Sequence, residues 1–161
     1  MKKNLPLLAL IALLSACAST QSHYPRDLRG EFDGLTARDA ALADYSNHPV
    51  RWGGRIIQIE PKEDRTCFEM VAARLDAQGR PDWHDESDSR FIACRNGFFD
   101  PTVFRINRDV TFTGTIGGYE NRRIGQNDYR FPRLEADTVH LWPERQPPAR
   151  KKRSDYFWWL D

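Results

Sequence analysis

Apolar and polar side chains alternate over several short stretches of this chain, a period-2 pattern that predicts a protein built mainly from β-strands. The clearest stretch is residues 110–116, where Val, Phe and Ile alternate with Thr. Residues 50–59 also form a predicted strand, but their apolar positions change parity around Gly53 and Gly54. A strand that changes its buried face at glycines is usually bulged or bent. We therefore expect this strand to serve both halves of a small barrel.

The remaining elements are predicted from the same pattern together with turn and capping residues. A short helix is expected to follow Thr36, its N-cap, and to end near Asp44. Asp100-Pro101 is expected to begin a single turn or short helix. The other β-segments are two strands, an irregular hairpin and a closing strand, predicted at residues 66–75, 90–94, 119–132 and 138–142.

Two of these predicted strands contain one cysteine each. When Cys67 is placed opposite Cys94 in an antiparallel pair, Met70 lies opposite Phe91 and apolar residues meet on one face. This self-consistent register predicts a Cys67–Cys94 disulfide, and two buried free thiols are the alternative. A bonded pair is typical of an oxidising compartment.

The number and spacing of the strands define the expected fold. Five or six short strands with a strongly bent first strand predict a mainly β protein, a small OB-like Greek-key barrel with one or two short helices. A two-layer β-sandwich is the alternative. The chain has 161 residues, which suits one domain, and we expect the barrel to occupy residues 31–143.

The start of the chain has the pattern of an export signal. Lys2 and Lys3 precede an apolar run over residues 5–14, and the small residues Ser15 and Ala16 follow it. The run is well short of the roughly 20 residues that a bilayer span needs. Its order of charged, apolar and small residues predicts a secretory signal peptide.

Cys17 follows this signal, and Leu14-Ser15-Ala16-Cys17 resembles the lipobox of bacterial lipoproteins. The resemblance implies cleavage before Cys17 and acylation of its sulfur and amine, and several acyl chains hold a protein firmly in a membrane. Ala18, in place of the Asp of inner-membrane lipoproteins, points by the same resemblance to the outer membrane. We expect residues 1–16 to be the signal peptide, 17–30 a lipidated cysteine with a flexible tether, and the domain to face the periplasm. An ordinary signal peptide is the alternative.

Charge and motif content narrow the functional classes. The formal net charge is +1 at pH 7, which gives no general basic field, so nucleic acid is not an expected partner. The sequence contains no phosphate loop, nucleophile elbow, dinucleotide fingerprint or His-Glu-x-x-His motif. We therefore expect a protein that is not an enzyme and that carries no cofactor.

Two sets of polar residues are candidates for binding. The first set could hold a divalent cation, but its spacing is not that of an EF-hand, so we predict no metal site; it consists of Asp82, His84, Asp85, Glu86 and Asp88. The second set accompanies apolar strand positions and could line a ligand face for an anionic oligomer; it consists of Arg51, Arg55, Arg90 and Arg105. The alternative for these arginines is pairing with the many carboxylates of the chain.

The C-terminal tail, residues 144–161, has a different composition. A proline-rich start leads to four cations and a final aromatic group, a combination typical of membrane-interface segments that meet anionic lipid. The predicted membrane-contact residues are Arg150, Lys151, Lys152, Arg153, Trp158 and Trp159. The alternative is that the aromatic residues fold back on the barrel as a cap.

Several stretches together resemble the Slp family of Gram-negative outer-membrane lipoproteins. They include Val50-Arg51-Trp52-Gly53-Gly54, Gly79-Arg80-Pro81, Ser89-Arg90-Phe91-Ile92-Ala93, Gly97-Phe98-Phe99-Asp100-Pro101, Tyr129-Arg130-Phe131-Pro132 and Leu141-Trp142-Pro143. The resemblance covers roughly residues 10–143 and supplies no catalytic residues. The sequence departs from the family pattern at Ser89 and Phe99. The cysteine pair and the tail lie outside the pattern, so the disulfide rests on its register alone.

The resemblance implies an outer-membrane lipoprotein linked to envelope and stationary-phase stress. Our first expectation is a structural or stress-protective envelope protein. The alternative is a binding module for an envelope glycan, peptide or lipid, and a hydrolase with a spatially assembled site is a distant third.

Overall fold

The computed structural model describes residues 23–83 and 89–145, which form a β-rich domain with one α-helix. The helix, α1, is Ala37–Leu42, and a 3₁₀ turn lies at Arg26–Leu28. The strands are β1 Pro49–Pro61, β2 Arg65–Leu75, β3 Pro81–Asp82, β4 Arg90–Asn96, β5 Asp109–Ile124 and β6 Asn127–Leu141.

Five of these strands close into a barrel. They follow the order β1-β5-β6-β4-β2, and β2 pairs back with β1. Strands β4 and β6 are parallel, whereas the other pairs in the barrel are antiparallel. This is the connectivity of an OB-type barrel, which confirms the predicted fold. The β-sandwich alternative is wrong, because the strands form one closed sheet.

Strand β1 serves both halves of the barrel, as its sequence predicts. Gly53 and Gly54 pair with β2 on one side and with β5 on the other. A Cβ on Gly54 would lie 2.0 Å from the carbonyl oxygen of Val71, so the close approach of the neighbouring strand requires glycine there. The expected bulge at the glycines is displaced, however. The register shifts between Ile56 and Gln58, which leaves Ile57 as the extra residue.

The hairpin that β5 and β6 form is longer and more regular than the sequence predicts. Strands β5 and β6 pair from Val110 and Leu141 to Ile124 and Asn127, and two register shifts bend them along the way. The separate closing strand predicted at 138–142 is the end of β6. Since the bulges interrupt the alternation of apolar residues, one long strand has the sequence pattern of two short ones.

The pairing of β2 with β4 confirms the register deduced from the cysteines. Met70 lies opposite Phe91, and Cys67 lies opposite Cys94. The two cysteines form a disulfide with their Cα atoms 4.1 Å apart. They belong to a small apolar cluster, separate from the main core, to which Phe131 also contributes.

An aromatic core fills the barrel, and residues 97–108 close one of its ends. Phe68 is fully buried and contacts the rings of Phe99 and Phe104 from that loop. The loop contains a hydrogen-bonded turn rather than a helix: the Asp100 carboxylate accepts from the Thr102 backbone N–H at 2.8 Å. The loop therefore seals the barrel with side chains on its inner side.

The segment before β1 also packs on the barrel. Leu28 is fully buried, and α1 begins with a reciprocal capping box between Thr36 and Asp39. This helix ends at Leu42, two residues before the predicted end. Residues 23–30 fall within the predicted tether 17–30, and their packing does not fit a flexible tether. The tether prediction then applies to residues 17–22, which lie outside the described part of the chain. None of the helical segments within residues 23–83 and 89–145 has the length and apolar character that a bilayer span requires.

Candidate anion-binding site

A cavity of about 340 Å³ opens where β1, the end of loop 97–108 and the segment after β6 meet. We call it the arginine site, because five arginines and two carboxylates contribute to its lining; these are Arg55, Arg80, Arg105, Arg108, Arg145, Asp109 and Glu144. Positive charge therefore exceeds negative charge by three at this cavity.

Asp109 is the buried centre of the site. It is 6% exposed, and its Oδ1 accepts from Arg55 Nη2 at 3.1 Å and from Trp83 Nε1 at 3.0 Å. Its Oδ2 lies 3.7 Å from Arg80 Nη2 and 3.5 Å from Arg145 Nε. One carboxylate thus holds three guanidinium groups together, which offsets the desolvation of its own charge.

The sheet register explains how Asp109 meets Arg55. Asp109 is the first residue of β5, and it lies directly opposite Arg55 of β1. Opposite charges at such a cross-strand position attract at short range. The Arg55 guanidinium also lies over the ring of Trp83, 4.2 Å from its centroid, so stacking fixes the plane of this cation.

Arg80 reaches the site from a tight turn between β2 and β3. The Asp76 carboxylate accepts from the backbone N–H groups of Gln78 and Arg80, both at 2.9 Å. Gly79 has a φ of +87°, a conformation that favours glycine, and its carbonyl accepts from the buried Thr111 hydroxyl at 2.7 Å. The turn is therefore fastened to β5, and it projects Arg80 beside Asp109.

The outer part of the site is formed by Arg105, Arg108 and Glu144. Arg105 pairs with the Glu144 carboxylate, and Arg108 Nη1 lies 3.7 Å from the same carboxylate. Arg108 also donates through Nη2 to the Trp142 carbonyl at 2.8 Å. Arg105 and Glu144 are exposed, so these two side chains can move apart to admit a ligand.

The chemistry of this lining favours an oxyanion. Guanidinium groups present planar pairs of N–H donors that match phosphate and carboxylate oxygens. The Nε donor of Arg80 is buried without a hydrogen-bond partner among the described residues, so the hydrogen-bonding capacity of the cluster is not saturated.

The carboxyl groups whose pKa is shifted lie outside the arginine site. Hydrogen bonds from Thr36, Ser46 and Thr102 lower the pKa of Asp39, Asp44 and Asp100 respectively. These shifts come from a helix cap and from turns, and they identify no acid or base at the cavity.

The four arginines predicted to form a ligand face separate into two groups. Arg55 and Arg105 both line the arginine site. Arg51 donates to the Leu28 carbonyl at 2.8 Å and lies over the ring of Tyr24. Arg90 lies 3.1 Å from the Glu69 carboxylate. Arg90 is thus paired with a carboxylate, as the alternative expects, whereas Arg51 fastens the N-terminal segment to β1. Arg55 and Arg105 are also paired with carboxylates.

Five charged members of the arginine site escape sequence reasoning: Arg80, Arg108, Asp109, Glu144 and Arg145. The adjacent pair Arg108-Asp109, placed just before the clearest predicted strand, could have indicated those two residues only. Arg145 was expected to belong to the tail, yet it lies beside Asp109 and donates to the Pro81 carbonyl.

Several predicted site residues fall outside the described part of the chain. They are Cys17, His84, Asp85, Glu86, Asp88, Arg150, Lys151, Lys152, Arg153, Trp158 and Trp159. Asp82 is described and lies in β3. Among residues 23–83 and 89–145, no cluster of three or more His, Cys, Asp or Glu side chains could hold a metal ion.

A second cavity, of about 430 Å³, lies between residues 32–37 and strands β1 and β2. Trp52 Nε1 donates to the Leu35 carbonyl at 2.7 Å and ties the crossing segment to the barrel. Its charged lining residues are Asp33, Arg51 and Arg74, a positive excess of one against three at the arginine site. The arginine site is therefore the stronger candidate for a charged ligand.

Comparison with known proteins relates the whole domain to envelope proteins. Outer membrane protein Slp of Escherichia coli (strain K12) is 27% identical over 151 residues, covering 91% of this chain and 78% of that protein. The uncharacterized lipoprotein YeaY of the same organism is 31% identical over 98 residues, covering 61% of this chain and 50% of that protein. An uncharacterized protein of Haemophilus influenzae is 30% identical over 122 residues, covering 73% of this chain and 66% of its own length.

Among solved structures, a small single-stranded DNA-binding protein from Streptomyces coelicolor matches with a TM-score of 0.40 and 10% identity. The match covers 59% of this chain and 94% of that one.

The family comparison extends further than the resemblance seen in the sequence. The model of the outer membrane lipoprotein Slp family matches residues 14–161. The tail beyond Pro143 is therefore part of the family match, and the expectation that it lies outside is wrong. The chain belongs to the Slp family of outer membrane lipoproteins, and its location is the outer membrane.

Proposed function

We propose that this outer-membrane lipoprotein is a binding module for an anionic component of the cell envelope, which it takes up at the arginine site. The observation that carries the proposal is the clustering of five arginines at one cavity, three of them around the buried carboxylate of Asp109. Ligand classes that fit are phospholipids, glycans or peptides that bear phosphate or carboxylate groups. Acylated Cys17 is the proposed anchor, with the barrel facing the periplasm.

The proposed activity is binding rather than catalysis. The site combines cations with an organising carboxylate, and guanidinium groups bind an oxyanion through paired N–H donors without reacting with it. A positive excess of three at one cavity, on a chain of net charge +1, favours a small anionic group over a nucleic acid backbone.

Isothermal titration of the purified lipoprotein in detergent with inorganic pyrophosphate tests the proposal. Arg105→Ala/Arg145→Ala removes two guanidinium groups from the site and is expected to weaken binding by about tenfold or more, since each charge-assisted contact contributes about 1.5–3 kcal/mol. Arg123→Ala is the matched control, because Arg123 pairs only loosely, at 3.6 Å, with the exposed Asp128. Absent heat of binding, or equal affinity in both variants, would contradict the assignment.

A structural or stress-protective role is the second proposal. The closed barrel and the Cys67–Cys94 bond favour it, since both rigidify a domain that remains in the envelope. Deletion that sensitises cells to envelope stress, together with an arginine site that binds no anion, would support this role over the binding module.

A further inference from the structure

The loop that closes the barrel, residues 97–108, presents apolar side chains to solvent. Five large apolar side chains are exposed in the described part of the chain, and three belong to this loop: Phe98 at 73%, Val103 at 47% and Ile106 at 55%. Phe99 and Phe104 of the same loop pack inward against Phe68. The exposed side chains are therefore additional to those that seal the core.

The same loop forms one wall of the arginine site. Arg105, Ile106 and Arg108 all line that cavity, and Arg108 Nη1 donates to the Val103 carbonyl at 3.3 Å. Exposed apolar side chains beside cations match the boundary of a bilayer, where headgroup phosphates adjoin acyl chains. A free anion would use the cations and leave the apolar side chains in water.

Contacts of the N-terminal segment place the anchor side of the chain near this surface. The ring of Tyr24 lies against Gly79, where an added Cβ would meet it at 2.5 Å, and Gly79 precedes Arg80 of the site. Asp27 bonds His140 at 2.7 Å, and His140 contacts the ring of Trp142. Residues 17–22 span at most about 20 Å at about 3.3 Å per residue, so an acylated Cys17 would hold the arginine site close to the bilayer.

We infer that loop 97–108 docks on the membrane leaflet that holds the anchor. Phe98, Val103 and Ile106 enter the headgroup boundary, and the arginine site binds the phosphate of an anionic phospholipid. The lipid-binding half of this inference rests on the proposed function, whereas the apolar docking half does not. The barrel thus meets the membrane with one defined end.

A fluorophore at position 106 tests the docking. Lipoprotein carrying Ile106→Cys is labelled with nitrobenzoxadiazole. The disulfide occupies Cys67 and Cys94, and the proposed acylation blocks the sulfur of Cys17, so the new thiol reacts selectively. The matched control is Leu42→Cys, because Leu42 is 79% exposed but lies on α1. Both proteins are reconstituted in vesicles of phosphatidylethanolamine with phosphatidylglycerol, or with phosphatidylcholine, that contain doxyl-labelled lipid as quencher.

Several-fold stronger quenching at position 106 than at position 42 in phosphatidylglycerol vesicles is the expected result. Phe98→Ser/Val103→Ser should reduce that quenching while leaving pyrophosphate binding intact, and Arg105→Ala/Arg145→Ala should reduce both. Equal quenching at the two positions would overturn the docking, even if pyrophosphate binds as proposed. Strong quenching at 106 that is equal in both vesicle types and insensitive to the arginines would retain the apolar contact and refute the lipid-phosphate site.

Discussion

Arg55 and Asp109 face each other across β1 and β5, and the buried carboxylate lies 3.1 Å from Arg55 Nη2 and 3.2 Å from Arg55 Nε. Two further arginines approach the other carboxylate oxygen. Asp109 therefore pairs with Arg55 across two strands of the barrel and also balances the positive charge of the arginine site.

Asp109→Asn is expected to destabilise the protein. The substitution keeps the shape of the side chain but leaves partly buried guanidinium groups without their counter-charge, which costs about 3 kcal/mol at such sites. Urea unfolding followed by circular dichroism measures the loss. Asp128→Asn is the control, because its partner Arg123 and Asp128 itself are exposed and such pairs contribute at most about 1 kcal/mol. Equal unfolding midpoints for the two variants would contradict the organising role of Asp109.

Removal of the disulfide should lower stability without changing the fold. The bond joins residues 27 positions apart, and constraint of the unfolded chain over a loop of this size contributes about 3–4 kcal/mol. Cys67→Ala/Cys94→Ala should therefore unfold at lower urea, with a retained β-sheet circular dichroism spectrum. Reductant should shift the wild type in the same direction and leave the variant unchanged. If complete reduction of the disulfide left the unfolding midpoint of the wild type unchanged, the disulfide would not contribute to stability.

Gly54→Ala should disrupt the point where β1 is paired on both sides. The added Cβ would meet the Val71 carbonyl oxygen at 2.0 Å, and overpacking against backbone costs about 1–3 kcal/mol or more. Gly34→Ala is the matched control, since an added Cβ there has no neighbour within 4 Å. Thermal melting of both variants compares them directly. A melting temperature for Gly54→Ala equal to that of Gly34→Ala would show that β2 can move away.

The turn in loop 97–108 should weaken in acid. The Thr102 backbone N–H, followed by its hydroxyl, lowers the pKa of Asp100 below its ordinary value of 3.8. A carboxyl whose pKa is lower in the folded state stabilises that state above the unfolded pKa, and this stabilisation is lost as pH falls through the lowered value. Titration of the Asp100 carboxyl by NMR should show a midpoint below 3.8.

Thr102→Ala separates the two hydrogen bonds of that turn. It removes the hydroxyl and keeps the backbone donor, so the Asp100 midpoint should rise but remain below 3.8. The Asp39 midpoint, which Thr36 lowers, should stay unchanged and serves as the internal control. An Asp100 midpoint unaffected by Thr102→Ala would assign the whole shift to the backbone.

The predictable part of this fold is the part that depends on local alternation. The pairing of Cys67 with Cys94 followed from apolar residues that had to share one face, and a one-residue slip would have exposed them. The position of the bulge in β1 did not follow, because Gly53 and Gly54 are required by close strand approach rather than by the register shift at Ile57.

The sequence predicts only part of the arginine site. Arg55 and Arg105 were selected because they accompany apolar strand positions. Arg80 and Arg145 reach Asp109 from a turn and from the segment after β6, and neither location carries a periodic pattern. Their convergence depends on barrel closure, which brings together residues that are distant in the sequence.

Closure of the barrel has a consequence for a protein crowded on a membrane surface. Each of its five strands has a partner on both sides, so the barrel offers little unpaired backbone to a neighbouring copy. Beyond the parts paired with β1 and β4, the β5–β6 hairpin pairs only with itself, and there it carries Glu120, Arg122, Arg123 and Asp128. Charges on exposed edges discourage strand exchange between molecules. Neighbouring copies on the membrane surface can therefore lie close together without forming intermolecular β-sheets that lead to aggregation.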